Sequence, residues 1–167
     1  MSASQNRAAG KAEPMPSLMD AKDDRILVIT RIFDAPRDLV FEVFTDPKHA
    51  LHWMGPRHFP MTQMESDRRP GGKWRACLTS PEDGRQLWQS GVNHEIVPPE
   101  RLSFTFGWED DGALGPETVV TITFEDLGGK TLMTFRQEVF DTVDNRDGHR
   151  GGWSSAFDRL DDYLAAI

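Results

Sequence analysis

The chain has 167 residues, the length of one ordinary domain, with 19 Lys+Arg against 27 Asp+Glu and a formal charge of −8. A balance that acidic argues against a nucleic-acid partner, which needs a basic footprint, and against docking on an anionic membrane surface. With Cys77 as the only cysteine, an internal disulfide or a cysteine metal cluster is excluded.

In chain order, Met1 to Asp24 is rich in Ser, Ala, Gly, Pro and charge, without an apolar period, and reads as a disordered tail. It lacks the continuous apolar stretch of a secretory signal, and no stretch reaches bilayer-spanning length, so a cytoplasmic protein is expected. The folded domain is expected over Arg25 to Ile167. Ile26 to Phe33 is β-branched and nearly all apolar, the pattern of a strand buried on both sides or at a seam. Asp34-Ala35-Pro36 is a helix start, with Leu39, Val40, Val43 and Phe44 at helical spacing behind it. Thr45-Asp46-Pro47 repeats the signal, so two short helices are predicted, the second running to about Trp53.

Six strands follow in the reading: Pro60 to Asp67, Lys73 to Thr79, Gln86 to Val97, Arg101 to Trp108, Glu117 to Glu125 and Thr131 to Phe140. Turn-type residues separate them, among them Arg69-Pro70-Gly71-Gly72, Pro98-Pro99 and Gly128-Gly129. Leu102, Phe104, Phe106 and Trp108 alternate with polar neighbours, as do Val120, Ile122 and Phe124. Sequential antiparallel strands with one apolar face need a cover. Trp153, Ala156, Phe157, Leu160 and Leu164 form one helical stripe that supplies it. Asp144 to Arg150 reads as a charged loop with a solvated His149, and Gly151-Gly152 as the place where the last helix begins close to the sheet. The fold class is α+β: a curved antiparallel sheet wrapped around a long C-terminal helix.

Local sequence sharpens this. Phe33 to Phe41 followed by Phe44-Thr45-Asp46-Pro47, then His52-Trp53-Met54-Gly55-Pro56, Arg69-Pro70-Gly71-Gly72-Lys73-Trp74, Glu95 to Phe104 and Gly151-Gly152-Trp153 occur in one order. Together they resemble the activator of heat-shock protein 90 ATPase homologue-like family of the START-like (SRPBCC) superfamily, over about Asp24 to Ile167. The resemblance implies the helix-grip fold and, between sheet and helix, a space for a small hydrophobic molecule. It also implies an alternative, a chaperone contact that stimulates the ATPase of heat-shock protein 90. Eukaryotic activators of the family carry an additional N-terminal chaperone-binding domain, which the tail is too short to provide. A third reading, a cyclase- or dehydratase-like enzyme, would use His94 with Gln137 to polarise a carbonyl.

The candidate ligand-binding residues are polar groups on apolar strand faces and the aromatics around them. Trp88, Ser90, Val92, His94 and Ile96 share one face by alternation; Met133, Phe135, Gln137 and Val139 share another. Trp53, Trp74, Phe106, Trp108 and Phe157 are candidate walls, with Trp153 from the helix. Taken singly, each aromatic reads as core; taken as a set, they read equally as a cavity lining. Trp108 has a further alternative, as a sheet-end residue beside an Asp110–Gly115 loop. His49, His52 and His58 lack a completing ligand, so no metal is assigned, and no cofactor motif is present.

Overall fold

The computed structural model describes residues 24–167. The expected tail, apart from Asp24, lies outside the described residues. Strand β1 (Leu27–Phe33) buries Leu27, Ile29 and Phe33 on one side only. Val28 and Ile32 are 42% and 59% exposed, which corrects the expectation of burial on both faces. The strand ends the sheet order and among the described residues nothing covers its outer side, so only one parity of its apolar residues is sheltered.

Helix α1 (Arg37–Thr45) starts at Pro36 without a side-chain cap, and α2 (Pro47–Trp53) starts as the sequence predicts. Asp46 accepts from the Lys48 backbone N–H at 2.9 Å, and Pro47 occupies the position where its missing donor costs nothing. Strands β2 (Met61–Ser66), β3 (Lys73–Thr79), β4 (Gln86–Val97), β5 (Arg101–Asp110), β7 (Thr118–Asp126) and β8 (Thr131–Glu138) match the expected six. A short β6 (Ala113–Leu114) folds back on β5 where a loop was expected.

All pairings are antiparallel, in the order β1-β8-β7-β5-β4-β3-β2. From β2 to β8 the sheet runs as a meander, with β1 added beside β8. Pairing along β4–β5 shifts between Asn93 and Glu95, leaving His94 as the extra residue of a bulge.

The last helix, α3 (Val143–Ala166), is longer than the apolar stripe indicates. Thr142 caps it by accepting from the Asn145 backbone N–H at 3.1 Å. The expected loop Asp144–Arg150 is therefore its first turns, and Gly151-Gly152 lies inside it. Glycine's low helix propensity, about 1 kcal/mol below alanine, and the lack of apolar residues hide this start from a periodicity reading.

Phe33, Phe44, Trp53, Phe124, Phe135 and Phe157 form the centre of the core, all at most 5% exposed. Phe44 meets Trp53 and Phe124 edge-on with ring centroids 4.8 and 5.3 Å apart. Each buried ring contributes about 1.5–3 kcal/mol by leaving water, and each edge-on pair about 0.5–1.5 kcal/mol more. The sheet curves around α3 with this cluster between them: the helix-grip architecture.

Candidate functional site

Helix α3 divides into two halves with different surroundings. Its buried residues, Ala156, Phe157, Leu160 and Leu164, all lie in the second half. That half is tied down from several sides. Arg159 donates to the carbonyls of Met54 and Gly55, both at 2.9 Å, and Arg31 on β1 pairs with Asp158 at 2.8 Å. His49 meets the Tyr163 hydroxyl at 2.7 Å, and His52 stacks on the Tyr163 ring. Gly55 is required in this clamp: its φ is +84°, and a Cβ there would lie 2.7 Å from the Phe59 carbonyl.

The first half of α3 roofs a cavity instead. Met54–Phe59, the Leu78–Leu87 end of β3 and β4, Phe106 and Trp108 of β5, and Asn145–Ala156 line a partly open space of about 580 Å³. Gly148, Gly151 and Gly152 face it, and a Cβ added to any of them would meet nothing within 4 Å. Gly148 and Gly151 are exposed, so they lie at its open mouth, where the absence of side chains leaves the space unfilled. A second, smaller space of about 70 Å³ continues under β2 and β4, lined by Trp74, Asn93, Ile96 and Phe104 among others. Met54, Met61, Gln89, Phe106 and Trp153 belong to both linings and mark where the two chambers meet.

The polar groups around this space differ in how they are satisfied. Gln137, fully buried, donates to Thr118 Oγ1 at 2.8 Å and accepts from the Trp153 indole at 2.9 Å. Asn93 donates to the Asp67 carbonyl at 2.9 Å. Trp74 donates to the Thr105 carbonyl at 3.0 Å across Gly91, where a Cβ would collide with both groups. The Trp108 indole N–H donates to His149 Nε2 at 3.1 Å. His149 is packed against Phe106 and Phe140, and burial lowers its pKa to about 4 against a weak opposing pull from Asp141. It is therefore neutral at pH 7, with Nε2 as acceptor, not the solvated loop histidine expected. Gln89, 6% exposed, is different: its carboxamide has no hydrogen-bond partner among the described residues.

Of the residues singled out from sequence, Trp74, Phe106, Trp108 and Trp153 come together around the chambers. Trp53, Met133, Phe135 and Phe157 are fully buried in the core and line neither; the Trp53 indole donates to the Val43 carbonyl at 2.9 Å. Gln137 stands behind Trp153, one layer away from the space. Trp88, Ser90 and His94 are corrections. Ala76 pairs with Gln89 and Leu78 with Leu87, so Leu87, Gln89, Gly91 and Asn93 share the inner face, and Trp88 and Ser90 the outer. There the Arg75 guanidinium lies 3.8 Å over the Trp88 ring, which gives the indole a half-sheltered place outside the core. Arg75 also bonds Glu109 at 2.9 Å and, with Ser90 nearby, holds that carboxyl below the usual carboxylate range. His94 is exposed on the bulge, and the extra residue turns Ile96 inward in its place. The His94–Gln137 pair needed for carbonyl polarisation therefore does not exist.

Sequence reading missed Gln89, His149 and the glycine roof. The hairpin register held the signal for Gln89. Trp74, Ala76 and Leu78 alternate inward on β3, and the tight Ser80–Arg85 turn sets Leu87 and Gln89 opposite them.

What this arrangement can do is hold an organic molecule against aromatic walls and offer it one carboxamide that has no partner among the described residues. The lining of the larger chamber includes no Asp, Glu, Lys or Arg.

Comparison with known proteins agrees with the architecture. The family model described as Activator of Hsp90 ATPase homolog 1-like protein matches residues 34–165. A crystal structure of a protein from Chromobacterium violaceum is 27% identical, with TM-score 0.75, covering 83% of this chain and 95% of that one. The AHSA1 protein from Silicibacter pomeroyi is 26% identical with TM-score 0.77, over 84% of this chain and 98% of that one. A protein from Mycobacterium smegmatis is 27% identical with TM-score 0.74, over 87% and 94%. No curated protein matches the chain.

Proposed function

We propose, for a chain that belongs to the Activator of Hsp90 ATPase homolog 1-like family, that it binds a small hydrophobic molecule between the sheet and the first half of α3. The observation that carries this reading is the space of about 580 Å³ under the glycine-bearing half of the helix. Its size lies within the roughly 300–1,000 Å³ usual for small-molecule sites, and its walls are mainly apolar and aromatic. Three glycines inside one helix oppose helix formation and add no packing. A site that needs the volume accounts for them; a packed core does not.

Titration with N-phenyl-1-naphthylamine, an uncharged fluorescent hydrocarbon-like probe, tests the proposal. Saturable one-to-one binding is expected, with quenching of tryptophan emission from Trp108 and Trp153. A linear, unsaturated response up to the solubility limit of the probe sinks it.

The family description supports a second reading, stimulation of the heat-shock protein 90 ATPase through the acidic surface of this domain. Addition of excess protein to the cognate chaperone in an ATPase assay decides that one, and an unchanged rate removes it.

A further inference from the structure

We propose that the cavity selects an uncharged, largely apolar molecule bearing one neutral group that both donates and accepts a hydrogen bond, a hydroxyl or an amide, and that Gln89 is the residue that reads it. This rests on the binding reading above and adds the chemistry of the ligand. Gln89 is 6% exposed, projects from the inner face of β4 and lines both chambers at their junction. Its neighbours on that face are Leu87, Gly91 and, across the β3 pairing, Ala76. In such surroundings a carboxamide without a partner is a loss that leucine would avoid.

The other buried amides nearby are engaged, Gln137 to Thr118 and Trp153, and the amide nitrogen of Asn93 to Asp67 and Ser66, which leaves Asn93 no free donor. The Nε2 of His149 is taken by Trp108. Gln89 alone remains to offer both an acceptor oxygen and two donors, which a hydroxyl or amide can answer and a hydrocarbon or ether cannot.

Charge points the same way. No Asp, Glu, Lys or Arg lines the larger chamber, and Arg68 and Glu95 on the smaller one are exposed to solvent, so a carboxylate or ammonium guest seated beside Gln89 would lose hydration without a buried counter-charge. Selection against ions follows from the lining, and selection for a neutral polar head follows from Gln89.

Three probes on one ring system separate these terms: 2-naphthol, 2-methylnaphthalene and 2-naphthoate, titrated calorimetrically at pH 7. Wild-type protein is expected to bind 2-naphthol about tenfold more tightly than 2-methylnaphthalene, the effect of one net hydrogen bond, and 2-naphthoate most weakly. In Gln89→Leu the naphthol-to-methylnaphthalene ratio is expected to fall to about one or to invert. Gln89→Met, which keeps the length of the side chain, is read in the same way should the leucine variant fail to fold. A ratio unchanged in the folded variant, or 2-naphthoate as the tightest wild-type ligand, overturns the role of Gln89 while leaving the cavity a binding site. Absence of binding by all three probes to wild-type protein overturns the cavity reading itself, and this inference with it.

Discussion

Trp153 on α3 donates its indole N–H to Oε1 of Gln137 on β8 at 2.9 Å, and the Gln137 amide passes on to Thr118 Oγ1 at 2.8 Å. This chain of bonds fixes the wall of the cavity to the sheet behind it. Gln137 and Gln89 are thus two buried carboxamides in opposite circumstances, one bonded at both ends and one without a partner among the described residues.

Their leucine variants are expected to differ in stability. Gln137→Leu strands the part-buried indole N–H of Trp153 and leaves the Thr118 hydroxyl only the Phe106 carbonyl at 3.4 Å, and should cost about 1–3 kcal/mol in urea unfolding. Gln89→Leu removes an unanswered polar group, and should be neutral or up to about 1 kcal/mol more stable. Equal losses for the two would mean that Gln89 has protein partners after all.

His149 makes stability depend on pH. Its folded-state pKa of about 4 lies below the 6.5 of an unburied histidine, so the unfolded chain takes the proton first as pH falls. Its contribution is full above about pH 6.5, declines as pH falls from there towards 4, and changes no further below. The whole effect is at most about 3 kcal/mol. Denaturant unfolding of wild type and His149→Phe at pH 7, 5.5 and 4.5 measures it, and the gap between the two proteins should move in favour of the variant on acidification. A gap that stays constant with pH would contradict the burial of this ring.

The glycine roof separates stability from binding. Gly151→Ala and Gly152→Ala each meet open space, so each should add up to about 1 kcal/mol of helix stability and raise Tm by roughly 2–4 °C. The added methyls occupy the cavity, and the double variant should bind N-phenyl-1-naphthylamine several-fold more weakly. Higher Tm with unchanged affinity would move the guest away from α3.

Alanine substitutions discriminate the two faces of the sheet. Trp88→Ala, Ser90→Ala and His94→Ala should leave probe affinity within about twofold, because these residues lie outside the cavity. Phe106→Ala and Trp153→Ala, at the junction of the chambers, should each lower it about tenfold, the loss expected of a truncated aromatic wall. The reverse ranking would put the site on the outer face.

Much of the architecture was legible in the chain. The alternation of Leu102, Phe104 and Phe106 is local and needs no knowledge of the partner strands, since a strand with one wet face must repeat every second residue. The same holds for the Asp46–Pro47 helix start and for Trp74, Ala76 and Leu78 on β3. Trp88 misled because its size suggested burial, whereas stacking under Arg75 shelters it on the outside.

The amino-acid sequence by itself determined β1, the two short helices, the six long strands, the second half of α3 and their order, because each depends on periodicity and turn chemistry within a few residues of the chain. Only the tertiary structure decided which polar side chain enters the cavity. That choice rests on the β3–β4 register and on one inserted residue at His94, and a one-residue change in pairing sends every following side chain to the opposite face. It likewise decided that three glycines of α3 stand over empty space, since volume belongs to the gap between elements and to no single one of them.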